Sequence, residues 1–146
     1  MKHLPTDLRI LDEIYNSYYD TFAAYSKQDQ ERRSKIYVPI DISQLSKNLS
    51  VDEDIIFGRL YYHLENKYAY KKENGFSVSF FLKINSVTDD KPLHCVNFPY
   101  LASILANLRD EKKKYRISIS LSIFSLIISI SALLISSFRL FSNSTV

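Results

Sequence analysis

The stretch that decides the fold is DISQLSKNLSVDEDIIFGRLYYHLENKY, residues 41–68. Asp41 is suited to cap a helix, and the apolar spacing after it predicts a short helix over residues 42–49. The Ser-Val-Asp triplet at residues 50–52 predicts a tight turn. Beyond it, apolar residues recur every three or four positions and predict a longer helix over residues 53–67. The stretch therefore predicts two helices joined by a short turn.

The residues before this stretch predict a first helix and a short strand. Thr6 and Asp7 are suited to cap a helix, and apolar or aromatic residues then recur at helical spacing as far as Tyr25. A polar linker follows. It leads into a short run of strand-forming residues at 36–38, which Pro39 ends.

The residues after it predict a hairpin and a strand. Asn74-Gly75 lies between two runs rich in strand formers, and Asn-Gly favours the type I′ turn, in which both central residues have positive φ. From Phe76 to Ile84, apolar side chains occupy every second position, which is typical of a half-buried strand. The sequence therefore predicts a hairpin whose second strand continues to Ile84.

Two segments, ISQLSKNLSVDEDIIFGRLYYHLENKY and YAYKKENGFSVSFFL, resemble the two-helix unit and the wing of the winged helix-turn-helix superfamily. The resemblance covers roughly residues 4–84 and lies in the apolar spacing and the turns. It implies an α+β fold: a mainly helical domain with a small β-hairpin wing. It does not settle the activity, because this fold serves DNA binding and protein binding alike.

The C-terminal part of the chain predicts a long helix that continues into a single transmembrane span. Asn97 is suited to cap this helix and Pro99 to its first turn, and no helix breaker follows before the apolar segment. Residues 85–96 are expected to form a loop or an edge strand. The predicted organisation is a winged-helix domain (1–84), a connector (85–96), a juxtamembrane helix (97–116), a transmembrane helix (117–138) and a short tail (139–146).

The segment from Ile117 to Phe138 has 22 residues without a charge, and about 20 apolar residues cross a bilayer. The alternative is a buried core helix, but so small a chain cannot surround one on all sides. Residues 1–108 contain 13 Lys/Arg and 14 Asp/Glu, whereas residues 109–146 contain six and two. Because most of this basic excess precedes the span, the positive-inside rule predicts a cytoplasmic N-terminal domain and a tail on the opposite side of the lipid bilayer. The flanking bases are Arg109, Lys112, Lys113, Lys114 and Arg116.

Serine is frequent in the span, where it supplies eight of the 22 residues. Small residues occupy every position of one heptad register inside the span, in phase with apolar residues before it. In lipid, small residues let helices approach closely and serine hydroxyls bond across them, so this association stripe predicts a homo-oligomer or a partner membrane helix. The alternative is a weakly apolar anchor whose serines bond to their own backbone. The association stripe comprises Leu101, Ile104, Leu108, Ser118, Ser122, Ser125, Ser129, Ala132 and Ser136.

The outer face of the predicted third helix carries acidic and apolar residues rather than bases. Carboxylates oppose a polyanion, whereas tyrosine is enriched in protein interfaces. Gly58 costs a helix about 1 kcal/mol relative to alanine, which indicates either a closely approaching partner or a neighbouring helix that leaves no room. The face therefore predicts a protein contact. With about 100° per residue, it collects Asp54, Ile55, Gly58, Tyr62, Glu65 and Asn66.

The alternative function is that of a membrane-tethered transcription regulator, which uses the same fold on DNA. Arg59 on the flank of the third helix, with Lys71 and Lys72 in the hairpin, would then contact phosphates. The near-neutral charge of residues 1–108 and the short tail, which leaves no room for an external sensor domain, weigh against nucleic acid as the partner. A further alternative is a small effector that perturbs the bilayer, with its hydroxyls lining a pore.

No set of residues in the sequence predicts catalysis, a cofactor or a metal site. His94-Cys95 places two possible metal ligands together, but no second pair lies at a usable spacing. The chain has only two glycines, which argues against a glycine-rich phosphate loop. The sequence therefore predicts a membrane-anchored, non-enzymatic interaction or signalling adaptor at the cytoplasmic face, oligomeric through its C-terminal helix.

Overall fold

The computed structural model describes residues 4–26, 34–73, 75–85 and 92–143, with side chains as far as residue 136. The chain divides into two compact units, Met1–Asn107 and Leu108–Val146. The predicted α+β architecture with a long C-terminal helix is confirmed. In chain order the elements are α1 (Asp7–Ala23), β1 (Tyr37–Pro39), α2 (Ile42–Leu49), α3 (Glu53–Gly58), a π-helical segment (Arg59–Glu65), α4 (Asn66–Tyr68), β2 (Tyr70–Lys71), β3 (Ser77–Val78), β4 (Phe81–Asn85), β5 (Pro92–Asn97) and α5 (Phe98–Asn143).

α1, α2 and α5 begin at the predicted caps. The Asp41 carboxylate accepts from the backbone N–H of Gln44 at 3.0 Å at the start of α2. The Asn97 side chain accepts from the backbone N–H of Tyr100 at 3.3 Å at the start of α5, and Thr6 caps α1 in the same way. Such caps stabilise a helix because its first N–H groups have no partner within the helix itself.

A tight turn at residues 50–52 joins α2 to the next helix, as predicted. Ser50 adopts φ 56°, in the left-handed region, and its N–H donates to the carbonyl of Lys47 at 3.1 Å. Asp52 then caps α3 by accepting from the N–H of Asp54 at 2.9 Å. The two helices pack against each other.

The third helix, defined as α3, the π-helical segment and α4 together, covers residues 53–68. The sequence predicts a regular helix here, but the middle seven residues are π-helical. A π-helix bonds residue i to residue i+5, so each of its turns holds more residues than an α-helical turn. Ile56, Leu60 and Leu64 all remain fully buried. Because each π-helical residue turns through a smaller angle, a regular helical wheel misplaces the residues of this segment.

A three-stranded antiparallel sheet, in the order β1-β5-β4, completes the first unit. Val96 of β5 lies between Val38 of β1 and Phe81 of β4. The prediction of a loop or an edge strand over residues 85–96 is therefore wrong for residues 92–96, because β5 is the central strand, whereas residues 86–91 lie outside the described residues. A strand is central when another strand pairs with each of its edges, and its own sequence does not show whether this happens.

The predicted hairpin is present but short. β2 and β3 pair in antiparallel fashion, with Tyr70 opposite Val78. Gly75 adopts φ 82°, which an L side chain rarely adopts, whereas Asn74 lies outside the described residues.

The continuation of the second hairpin strand to Ile84 is wrong. The chain leaves the hairpin after β3, and β4 joins the other sheet. Phe80 and Phe81 are both buried, while Phe76 at the start of the predicted strand is 71% exposed. The alternation therefore fails because the segment serves two different sheets.

The first turns of α5 contribute to the core of the first unit. Leu101, Ile104 and Leu105 are 0%, 6% and 1% exposed. Leu101 and Ile104 were expected in the association stripe, and this expectation is wrong for both. Spacings of three and four residues mark any helix face that packs on apolar surface, so the pattern does not separate a domain core from a helix pair. The remaining core residues include Ile10, Leu11, Ile14, Val38, Leu45, Leu49, Ile56, Leu60, Leu64, Phe80, Val96 and Phe98.

The second unit consists of the rest of α5. Side chains from Arg109 to Ser136 are exposed, so the apolar segment is not a buried core helix of the described chain. The helix is long and apolar enough to cross a membrane, which is compatible with a single-pass membrane protein.

Candidate functional site

The outer side of the third helix carries four of the six residues predicted to bind a partner. Asp54 is exposed, Ile55 is 39% exposed and Tyr62 is 68% exposed. Gly58 lies between them and is half-buried. The structure therefore brings these four residues together on the side of the helix that faces away from its buried stripe. Asn66 is also exposed, and its side chain donates to the carbonyl of Tyr62 at 2.9 Å.

Glu65 does not belong to this outer face, contrary to the prediction. Its carboxylate oxygen Oε2 accepts from the backbone N–H groups of Phe80 at 2.8 Å and Phe81 at 2.6 Å. Hydrogen bonds to an ionised carboxylate are stronger than neutral ones, so Glu65 holds the start of β4 against the third helix. The prediction is wrong because the π-helical segment turns this side chain toward the sheet.

Tyr61 is an exposed residue that the helical wheel does not place on the outer face. On a regular helix it lies about 100° from Leu60, beside the buried stripe. In the structure it is 51% exposed, and its ring stacks on Phe57 with 5.5 Å between centroids. Its other neighbour is Tyr62, edge-on at 5.0 Å. At this edge of the stripe the wheel does not decide exposure, which depends on the neighbouring elements that cover the helix.

An aromatic row, defined as His94, Phe57, Tyr61 and Tyr62, runs from β5 across the third helix. The ring centroids of His94 and Phe57 are 5.5 Å apart, which links the strand to the helix. Burial lowers the pKa of His94, and the charge of Lys83 lowers it further. The imidazole is therefore uncharged at neutral pH, and it contributes a ring to the row rather than a positive charge.

Gly58 has no role that the described part of the fold explains. Its φ and ψ of −60° and −39° are those of an ordinary helix. A Cβ placed on it meets, among the described residues, only Cδ2 of Tyr62 at 3.8 Å, which is an ordinary van der Waals distance. The alternative that this glycine avoids a clash with a neighbouring helix is therefore wrong.

A groove of about 520 Å³ opens beside the aromatic row, where the starts of α2, α3 and β5 meet. Apolar side chains and carboxylates share its surface. The apolar ones include Ile42, Leu93 and Phe57, and the carboxylates are Asp41, Glu53 and Asp54.

Arg59, expected as a phosphate contact in the DNA-binding alternative, forms an ion pair within the domain. Its guanidinium contacts the carboxylate of Asp7 at the start of α1. His63 Nε2 and Lys67 Nζ, one and two turns further along the third helix, lie 3.1 and 3.4 Å from the same carboxylate. Burial raises the pKa of Asp7, but the hydrogen bond from His63 and the charge of Arg59 outweigh it and leave the pKa below its ordinary value. These contacts join α1 to the third helix.

Lys71 and Lys72 lie in or beside β2 and are exposed. His63 and Lys67, which sequence reasoning did not single out, follow Arg59 at intervals of four residues. That spacing places three basic side chains on one flank of a helix, and it could have been read from the sequence.

His94 and Cys95, the two adjacent potential metal ligands, lie next to each other in β5. Successive side chains of a strand point to opposite faces, so the two cannot bind one ion together. Cys95 is buried, and His94 stacks on Phe81 at 5.7 Å. Within residues 4–26, 34–73, 75–85 and 92–143, no three His, Cys, Asp or Glu residues lie close enough to hold a metal ion.

Four serines of the membrane-length segment, Ser122, Ser125, Ser129 and Ser131, bond to the backbone of their own helix. Ser122 Oγ donates to the carbonyl of Ser118 at 2.9 Å, and Ser129 Oγ donates to that of Ser125 at 2.9 Å. Ser125 makes the same kind of bond one turn earlier. These bonds use the hydroxyl hydrogen, but each hydroxyl oxygen keeps acceptor capacity for a neighbouring helix.

No protein-family model, curated protein or solved structure matches this chain.

Proposed function

We propose that this chain is a membrane-anchored, non-enzymatic adaptor whose N-terminal domain binds a protein partner at the cytoplasmic face of a membrane. The observation that carries this proposal is the set of exposed side chains of Ile55, Tyr61 and Tyr62 around the half-buried Gly58. Tyrosine side chains offer a large contact area at low entropic cost. Gly58 lowers helix stability by about 1 kcal/mol without a reason in the described fold, and close approach of a partner backbone supplies such a reason.

The proposed domain type is a winged helix-turn-helix. The support is the order of elements: α1, β1, α2, a tight turn and the third helix, followed by an antiparallel sheet. In this proposal β4 and β5 are the strands of the wing, and the small β2–β3 hairpin is an addition before them. This assignment moves the wing from the predicted segment, Tyr68–Leu82, to β4 and β5.

Membrane anchoring is proposed through α5 from Ile117 onward. Its exposed apolar side chains have no cover among the described residues, and lipid would cover them. The basic residues that precede the apolar segment, from Arg109 to Arg116, support a cytoplasmic first unit.

Homo-oligomerisation is proposed through the part of the association stripe within the span, from Ser118 to Ser136. Replacing Ser122, Ser125 and Ser129 with leucine fills the space that lets backbones approach. We expect crosslinked oligomers in membranes to disappear in this variant and to persist in a control with Ser120→Leu and Ser131→Leu, which lie off the stripe. Unchanged oligomers in both variants would exclude the stripe as the contact, and conductance in liposomes would favour the pore-forming alternative.

The adaptor proposal is tested by photo-crosslinking in intact membranes. A photoreactive phenylalanine analogue replaces Tyr62 in the full chain, and a matched control carries it at Tyr19, which is 47% exposed on α1. We expect one protein species to crosslink at position 62 and not at position 19, and to be lost when Ile55 is changed to Asp. Equal labelling at both positions, or labelling of lipid alone, would contradict the proposal.

DNA binding is the second candidate, and the excess of bases around Asp7 is the observation that favours it. Arg59, His63 and Lys67 together outnumber this one carboxylate. The exposed carboxylates in the first turn of α3 oppose a polyanion at the end of the helix that would meet it. DNA affinity that falls steeply with salt, and that is lost in the Lys71→Gln, Lys72→Gln variant, would replace the adaptor proposal.

A further inference from the structure

We propose that the groove beside the aromatic row binds arginine or lysine side chains of a basic segment in the partner protein. This inference rests on the proposed adaptor function and adds the chemistry of the partner. The groove's volume of about 520 Å³ lies in the range of binding pockets. The groove adjoins the exposed face of the third helix, since Asp54 lines the groove and also lies on that face.

The groove carries negative charge that no ion pair among the described residues neutralises. Asp41, Glu53 and Asp54 line it, and no lysine or arginine is among its described lining residues. Asp41 already accepts a backbone N–H as the cap of α2. Glu53 and Asp54 form no ion pair, because all three ion pairs among the described residues involve Asp7. His94, the remaining titratable group, is uncharged at neutral pH.

The helix dipole explains part of this arrangement. Carboxylates such as those of Glu53 and Asp54 are favourable in the first turn of a helix, whose N-terminus carries partial positive charge. The dipole does not explain why the carboxylates stand beside Ile42, Leu93 and Phe57 in one groove. The long side chains of arginine and lysine match both features, since their aliphatic stems pack on apolar surface while the charged end reaches the carboxylates.

The aromatic row extends this chemistry beyond the groove. Cations are attracted to the faces of aromatic rings, and the planar guanidinium of arginine stacks on them. The row leads from Phe57, which lines the groove, to Tyr61 and Tyr62 on the open surface. One basic side chain in the groove and another on the tyrosines fit a peptide segment better than a single ion. The carboxylates exclude a nucleic acid backbone from the same place.

The test uses the full chain in non-ionic detergent micelles and a short fluorescent peptide in which arginines are spaced by alanine and leucine. The reference peptide carries citrulline, which has the same size without the charge. We expect Glu53→Gln with Asp54→Asn to weaken binding of the arginine peptide by about tenfold. Asp20→Asn with Glu73→Gln removes the same charge from exposed positions elsewhere and leaves binding unchanged. Lys83→Gln removes the positive charge opposite His94 and strengthens binding.

Lys83→Gln is expected to strengthen peptide binding, whereas damage to α3 in the Glu53→Gln, Asp54→Asn variant would only weaken it. The Lys83 variant therefore tests the charge of the groove even if the double substitution destabilises α3. Equal binding of the citrulline peptide, or equal losses in the groove variant and its charge-matched control, would overturn the proposal. Tighter binding of a peptide that reproduces residues 109–116 would make a second copy of this chain the occupant and overturn the assignment to a partner. Crosslinking at Tyr62 without peptide binding would reject the basic segment and keep the adaptor, whereas loss of crosslinking would reject the adaptor itself.

Discussion

Replacing Gly58 with alanine separates a glycine kept for the fold from a glycine kept for a partner. The backbone at this position is helical, and the added Cβ meets only Tyr62 Cδ2 at 3.8 Å among the described residues. The folded state therefore accepts the methyl group, and alanine exceeds glycine in helix propensity by about 0.8–1.0 kcal/mol. We expect the free energy of unfolding of the first unit to rise by about this amount. The midpoint of thermal unfolding then rises by about 4–8 °C.

The assay is urea and thermal unfolding of the full chain in detergent micelles, followed by the near-ultraviolet circular dichroism of tyrosine. Ten of the 11 tyrosines precede residue 108, so the signal reports on the first unit. A control variant, Asn16→Ala, changes an exposed helical position on α1 and is expected to raise stability by less than about 0.7 kcal/mol. An unchanged urea dependence of the free energy would show that only stability has changed.

The two variants are expected to differ in crosslinking at Tyr62. Gly58→Ala combines higher stability with weaker crosslinking, because the methyl group stands where the partner approaches. Asn16→Ala raises stability and leaves crosslinking intact. A loss of stability in Gly58→Ala would refute the reasoning, since it would mean that the π-helical segment requires glycine at its start. A gain in stability with unchanged crosslinking would remove Gly58 from the interface.

Three further substitutions test the contacts that hold the first unit together. Glu65→Ala leaves the N–H groups of Phe80 and Phe81 without an acceptor. It should lower the free energy of unfolding, measured in urea, by about 2–3 kcal/mol, and Glu65→Gln should restore part of this loss. A loss below about 0.5 kcal/mol would show that the fold does not depend on Glu65. The pKa of Asp7 lies below its unfolded value of 3.8, so its stabilising contribution is present above that pH and is lost as the pH falls through the folded pKa. Urea midpoints of Asp7→Asn and the unchanged chain should therefore converge below about pH 3.8, and a constant difference across the acid range would contradict this linkage. Leu101→Ala should lower the free energy of unfolding by about 2–5 kcal/mol because this side chain is fully buried in the domain core. Crosslinked oligomers should persist in this variant. Their loss without a loss of stability would show that Leu101 belongs to the association stripe after all.

The sequence by itself determined the local elements of this protein. The caps at Thr6, Asp41 and Asn97, the turn at residues 50–52 and the positive φ of Gly75 all follow from hydrogen bonds and sterics within a few residues. The membrane-length helix is equally local, because twenty or so apolar residues in one run need no distant contact to be recognised.

Only the tertiary structure decided where these elements meet. β5 became the central strand because two distant strands pair with it, and Glu65 turned toward β4 because seven residues of the third helix are π-helical. Leu101 and Ile104 joined the core because the domain packs on them, although their spacing suits a helix pair equally well. The groove and the aromatic row share this origin, since their residues come from the start of α2, the third helix and β5, which are far apart in the chain. Spacing along a chain records which side chains share a face, but the surface that covers this face is set by long-range packing.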